Sequence, residues 1–240
     1  MSLLNEDQMA EPRPKSLFSL DYYKIYFDVK GDEVLQRTIA SLYPLKGHLE
    51  RNIRTNPDLY GPLWISVSLI LTSAISHGIA QFIENATSCV AVDTDMRRTS
   101  FVMTTVFLYT FLLPTSLWAY LKFQNAETRQ SLPSYICLYG YSLAVFIPIS
   151  ILWVLRIPTI MWPVMLGAAL ITAYSLVNSL WPSLEGLSTL RSRFIVSFIV
   201  IVLHVGLAVS LGSYAFEPSR VHPARIIKPV APTAAPTARS

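Results

Sequence analysis

Five apolar stretches fill the chain between residues 63 and 216, and none of them contains an Asp, Glu, Lys or Arg. They run over 63–83, 101–121, 134–155, 158–180 and 194–216. A bilayer core is crossed by about 20 residues of helix. Lipid offers backbone N–H and C=O groups no partner, so each stretch is expected to be helical. The fold class that follows is all-α: a polytopic integral membrane protein with a bundle of five transmembrane helices behind an N-terminal amphipathic segment.

Composition supports that class. Of the 240 residues, 52% are hydrophobic and only 14% are charged, against roughly a quarter charged in soluble domains. The five tryptophans, Trp64, Trp118, Trp153, Trp162 and Trp181, all lie near ends of the expected spans, where indole suits the lipid–water interface. The net charge of +4 comes mostly from Arg220, Arg225, Lys228 and Arg239 near the C-terminus. No basic stripe with interleaved aromatics is present, so nucleic acid is not implied.

Three regions follow. Residues 1–62 precede the spans, 63–216 carry them, and 217–240 read as a Pro/Ala/Thr/Arg-rich disordered tail. Within the first region, 1–16 are expected to be disordered. Phe18, Tyr22, Ile25 and Val29 then recur at helical spacing. After Gly31, Asp32 can cap a second helix with Val34, Leu35, Thr38, Ile39 and Leu42 on one face, ended by Pro44. Amphipathic helices over 18–43 can lie on the bilayer, lie on the protein's own spans, or dock a partner. The first apolar run begins only at Leu63, so no cleaved signal peptide is expected. Pro114 and Pro148 should kink the second and third spans. Small and hydroxyl residues in the first and fourth spans allow close helix approach.

Charge leaves the orientation open. With the N-terminus in the cytosol, Lys46, Arg51, Arg54, Lys122, Arg129, Arg191 and Arg193 would flank the spans inside. Arg97, Arg98, Arg156, Arg220, Arg225 and Lys228 would lie outside, so the positive-inside rule scarcely discriminates. The sequon Asn85-Ala86-Thr87 would then be lumenal, too near the first span for use. Cys89 and Cys137 fall toward opposite sides and are not expected to pair.

Catalytic chemistry is scarce. The spans hold His77 and His204 but no His/Cys/Asp/Glu cluster, so each histidine is expected to be hydrogen-bonded within the bundle. The P-loop, G-x-S-x-G and H-E-x-x-H patterns do not occur. The chain therefore reads as a non-enzyme, with no cofactor and no metal implied.

Two segments exceed what spans require. In Asn56-Pro57-Asp58-Leu59-Tyr60-Gly61-Pro62-Leu63-Trp64, two prolines frame a turn, Asp58 can accept backbone N–H bonds, and Pro62 suits the first helical position. In Leu138-Tyr139-Gly140-Tyr141-Ser142-Leu143, Gly140 would let another helix pass closely, and a buried Tyr141 would need a hydrogen-bond partner.

Asp58-Leu59-Tyr60-Gly61-Pro62-Leu63-Trp64-Ile65 resembles the signature of the Yip domain family, the Ypt/Rab-interacting proteins of the early secretory pathway. The family's usual form has an aromatic after the proline, where this chain has Leu63. Tyr139-Gly140-Tyr141-Ser142-Leu143 through Ile147-Pro148 is similar to the family's second motif. The stretches from Tyr22 to Val29, Leu42-Tyr43-Pro44 and Arg54-Thr55-Asn56-Pro57-Asp58 are similar to the branch of YIPF-type Golgi proteins. The likeness runs over roughly residues 20–216. It implies five spans, a cytosolic N-terminus, a lumenal C-terminus, and residence in Golgi or ER–Golgi membranes. It also implies Rab/Ypt small GTPases, other Yip family members and the lipid bilayer as partners. Asp58, Leu59, Tyr60, Gly61, Pro62, Gly140 and Tyr141 are then the signature or partner-binding residues. The resulting expectation is a Rab GTPase-interacting adaptor in vesicle-mediated transport. A lipid- or solute-handling bundle, resting on the hydroxyl-rich spans, is the alternative.

Overall fold

A computed structural model of the chain describes residues 26–42, 53, 56–86, 96–126, 130–155 and 157–216. Every regular element among them is helical: α1 (Gly31–Leu42), α2 (Tyr60–Ala86), α3 (Met96–Phe107), a π-helical turn (Leu108–Leu112), α4 (Leu113–Phe123), α5 (Leu132–Ser142), α6 (Phe146–Leu152), a 3₁₀ turn (Trp153–Leu155), α7 (Pro158–Leu184) and α8 (Leu190–Phe216). The expected disordered ends 1–16 and 217–240, the amphipathic run 18–25, Pro44 and Cys89 lie outside the described residues.

Among the described residues, five helical segments are long and apolar enough to cross a membrane: Tyr60–Ile83, Met96–Phe123, Leu132–Leu155, Pro158–Leu184 and Leu190–Ser213. The all-α, five-span architecture is therefore as the apolar pattern predicts. Most helices overrun the apolar stretches, because Arg97, Arg98, Lys122, Arg191 and Arg193 ride on helical ends. Such long side chains reach water from helices that continue past the hydrocarbon.

The third span is the axis of the bundle. In it, 61% of the span window is buried, against at most 39% in any other. It packs against the first and fourth spans, and the fifth packs chiefly against the fourth. Tyr135, Leu138, Tyr141, Leu143 and Phe146 of this span have no exposed surface.

The two expected kinks take different forms. Leu113 N–H bonds to the Leu108 carbonyl, five residues back, and the widened turn delivers the chain to Pro114. A proline ring clashes with the carbonyl four residues before it, and a π-bulge absorbs that clash. Before Pro148 the helix instead breaks over 143–145 into tight turns, with Ala144 N–H to Tyr141 O at 3.1 Å and Phe146 N–H to Leu143 O at 3.0 Å. Hydroxyls within the spans return to their own backbone, as Thr72 does to the Ser68 carbonyl at 2.8 Å, or cross between helices. Ser66 meets Thr110 at 3.0 Å and Ser150 donates to Thr72 at 2.8 Å.

Helix α1 departs from expectation at its start, and its buried side was left open by the sequence. Asp32 lies in its first turn rather than capping it, and Lys30 supplies the first carbonyl, to Glu33 and Val34. Carboxylates there face the positive end of the helix dipole. Its buried side is Arg37, Ala40 and Ser41, while Leu35, Ile39 and Leu42 point outward. Trp153 also differs from the interfacial expectation, being buried in the bundle.

Candidate functional site

The first of the two unusual segments folds as a helix entry built around a buried Asp58 whose backbone and carboxylate are bonded from inside the protein. Asp58 stands just before α2, and its Oδ1 accepts the Gly61 N–H at 2.7 Å. This is the bond by which an aspartate caps the free donors of a first turn. Leu63 N–H then bonds to the Leu59 carbonyl at 3.2 Å. Pro62 sits in the first turn, slightly later than the first position, and has no N–H to give to the Asp58 carbonyl one turn back. The Cys137 thiol of α5 donates to that carbonyl instead. The Asp58 N–H in turn points at Cys137 Sγ, 3.2 Å away.

The carboxylate draws in two further elements. Tyr141 of α5 donates its hydroxyl to Asp58 Oδ2 at 3.0 Å and lies 3.3 Å from Oδ1. The Arg37 guanidinium of α1 pairs with Asp58 Oδ2 through Nη1, and its Nη2 reaches Glu33 at 3.5 Å. Asp58 is fully buried and Arg37 is 4% exposed. Burial opposes the charge on Arg37, but the attraction and hydrogen bond of Asp58 outweigh it, so the guanidinium pKa is raised above its ordinary value. A further strand of this join is the Leu59 N–H, which donates to the Tyr26 carbonyl at 2.8 Å.

Both glycines are there for closeness. A Cβ on Gly140 would overlap Pro62, at 2.7 Å from its Cα. A Cβ on Gly61 would overlap the Tyr141 hydroxyl. The two segments singled out in the sequence thus interlock face to face: Asp58 with Tyr141, Pro62 with Gly140, Gly61 with Tyr141. Tyr60 and Trp64 turn outward, their rings 6.1 Å apart, and Leu59 is half-buried.

The arrangement does not expose its carboxylate to a substrate. What it does physically is fasten α1 and the third span to the start of the first. Among the described residues, no three of His, Cys, Asp or Glu come together to hold a metal ion. Deeper in the bundle, His204 bonds through Nδ1 to the Tyr109 hydroxyl and through Nε2 to Thr172 Oγ1 at 2.8 Å. Both hydroxyls can donate or accept, so either imidazole tautomer is satisfied. His77 meets Arg98 at 3.2 Å.

Arg37 and Cys137 are the members of the interlock that sequence reasoning did not single out. Arg37 reads as the polar side of an amphipathic helix, and Cys137 as one apolar residue among many. The one available signal was Asp58 itself, a carboxylate at a membrane mouth that calls for a cation.

Comparison with known proteins places the chain among relatives. Residues 41–211 match the Yip1 domain. The chain is 31% identical over 216 residues to the Protein YIPF1 homolog of Dictyostelium discoideum, which covers 90% of this chain and 61% of that protein. It is 28% identical over 125 residues to Protein YIP5 of Schizosaccharomyces pombe, covering 52% of the chain and 49% of the relative. It is 26% identical over 144 residues to Protein YIP5 of Saccharomyces cerevisiae, covering 55% and 46%. The matched part thus spans about half to three fifths of these relatives. No solved structure matches the chain. With the Yip1 domain matched over most of its length, the chain belongs to the Yip1 domain family.

Proposed function

We propose that this protein is a non-enzymatic membrane adaptor in vesicle-mediated transport at Golgi or ER–Golgi membranes. Its N-terminus faces the cytosol and its C-terminus the lumen. The N-terminal segment, residues 18–62, receives a Rab/Ypt small GTPase, and the spans pair with another Yip family member. The observation that carries this reading is the anchoring of α1. A buried ion pair fixes α1, a helix outside the spans, at the mouth of the first span, which holds the N-terminal segment in place at the membrane surface.

Proximity labelling from the N-terminus in intact cells tests the reading, with the compartment imaged alongside. Labelling of Rab proteins and Yip family members at the Golgi is the expected result. Labelling of lumenal proteins would overturn the orientation. Labelling of cytosolic proteins with no GTPase among them would overturn the adaptor role. Pull-down with purified GTPases adds a direct check, since binding that survives Arg37→Ala would place the contact elsewhere.

A further inference from the structure

The interlock fixes how deep α1 lies, and two independent contacts set the scale. Ser66 of α2 meets Thr110 of the second span at 3.0 Å. From Thr110 the second span continues 13 residues to Phe123, about 19 Å of helix. From Ser66 the first span has only 6 residues left before its start at Tyr60, about 9 Å. Pro62 lies against Gly140. Above that contact the third span has 8 residues to Leu132, about 12 Å, and the first has 2, about 3 Å. Both registers give the same offset: the first span begins about 9–10 Å short of its neighbours.

The neighbours' ends mark where water begins. Lys122 stands near the tip of the second span, its ammonium 4.8 Å from the Trp118 ring centroid. At the same end of the bundle, Arg193 clasps the Glu185 carbonyl at 2.8 Å across the turn from α7 to α8. Asp58 therefore lies well below the charged rim. Helix α1, tied to Asp58 by the length of one arginine and packed on the third and fourth spans, fills the notch that the short first span leaves. Its 12 residues are too few to cross a bilayer.

The side chains of α1 sort accordingly. Leu42, Leu35 and Ile39 fall within an arc of about 60° on a helical projection, and they are 37%, 59% and 52% exposed. Asp32 and Gln36 line one edge of that arc and Arg37, Ala40 and Ser41 occupy the opposite side. An apolar stripe with a polar edge, beside a span start that lies below the rim, is the pattern of a helix lying at the boundary of headgroups and acyl chains.

We propose that Leu35, Ile39 and Leu42 are seated in lipid of the leaflet at the Asp58 end, so that α1 is a membrane-embedded interfacial helix and not a water-exposed docking face. The inference stands whether or not a GTPase binds this protein. It leaves for any soluble partner the polar edge of α1, Asp32 and Gln36, and not the aliphatic stripe.

Site-directed spin labelling of the full chain in phosphatidylcholine vesicles tests it. Single cysteines replace Leu35, Gln36, Ile39 and Leu42 in a Cys89→Ser background. Cys137 is kept because it is fully buried and bonded to Asp58, and the parent without an added cysteine gives the background signal. The expected result is a severalfold preference for oxygen over an aqueous nickel chelate as relaxing agent at 35, 39 and 42, with the preference reversed at 36. Preferential relaxation by nickel at 35 and 39 would overturn the proposal in favour of a water-facing surface. Low accessibility to both agents would overturn it in favour of a protein cover, such as a second copy. Thermal unfolding of each labelled variant in detergent verifies the fold, and these outward positions should leave it unchanged.

Discussion

The Asp58 cluster at the entry of the first span joins a carboxylate, a guanidinium, a thiol and a phenol. The His204 cluster deeper in the bundle joins an imidazole, a phenol and a hydroxyl, with Ser142 3.5 Å from the same phenol. The first ties an extramembrane helix to two spans. The second ties the second, third, fourth and fifth spans to one another and touches nothing outside them. The first cluster joins opposite charges where one partner lies beyond the spans, and the second relies on dipoles where every partner is already held in the bundle. The difference follows from cost. A buried ion pair loses much of its attraction to desolvation and becomes costly when half of it is removed, whereas a hydroxyl network loses modest amounts bond by bond.

That contrast can be broken or sharpened by substitution. Gly140→Leu drives a side chain into the Pro62 backbone and should cost more than the ~3 kcal/mol of ordinary overpacking. Loss of the monodisperse peak on size exclusion in detergent is the expected sign. Asp58→Ala strands Arg37 in a buried position and should cost about 3–5 kcal/mol, read from thermal unfolding in detergent. Combining Asp58→Asn with Arg37→Met should recover much of that loss, and a double-mutant cycle measures the coupling. His204→Ala removes two hydrogen bonds and should cost about 1–3 kcal/mol. Limited proteolysis separates the two clusters. Asp58→Ala should open residues 31–42 to cleavage, and His204→Ala should leave them protected. The smallest effect belongs to Ser150→Ala, which removes one interhelical hydroxyl bond and should cost about 0.6 kcal/mol. A Ser150→Ala loss equal to that of Asp58→Ala would erase the distinction between charged and dipolar ties.

The five spans were legible because hydropathy reports directly on lipid contact, and the sites of both kinks because proline acts locally. Gly140 and Tyr141 were legible as needs: a close approach and a hydrogen-bond partner, met by Pro62 and Asp58. The identity of the partners was not, since Tyr141 follows Asp58 by 83 residues and Arg37 precedes it by 21. Periodicity found the amphipathic helix over 31–42 but did not say which side it buries. In a soluble protein Leu35 and Ile39 would face the core. Here lipid competes with the core for aliphatic side chains, and the buried ion pair decides the rotation. Helix ends were similarly beyond hydropathy, because a helix can continue past the hydrocarbon on charged residues such as Arg97 and Lys122.

The order in which the Asp58 contacts come off the ribosome has a consequence for assembly. Arg37 and Gly61 are made close in time to Asp58, but Cys137 and Tyr141 come 79 and 83 residues later. At roughly 5–20 residues per second, that is a wait of several seconds. Throughout it, the first span stands in the membrane with a carboxylate only partly satisfied at its mouth. Arrival of the third span ends the wait and places phenol and thiol on the same aspartate. The interlock is therefore completed only after the third span has been made. A chain whose third span is out of place keeps the Arg37 pair and the Gly61 bond but lacks the phenol and thiol on Asp58.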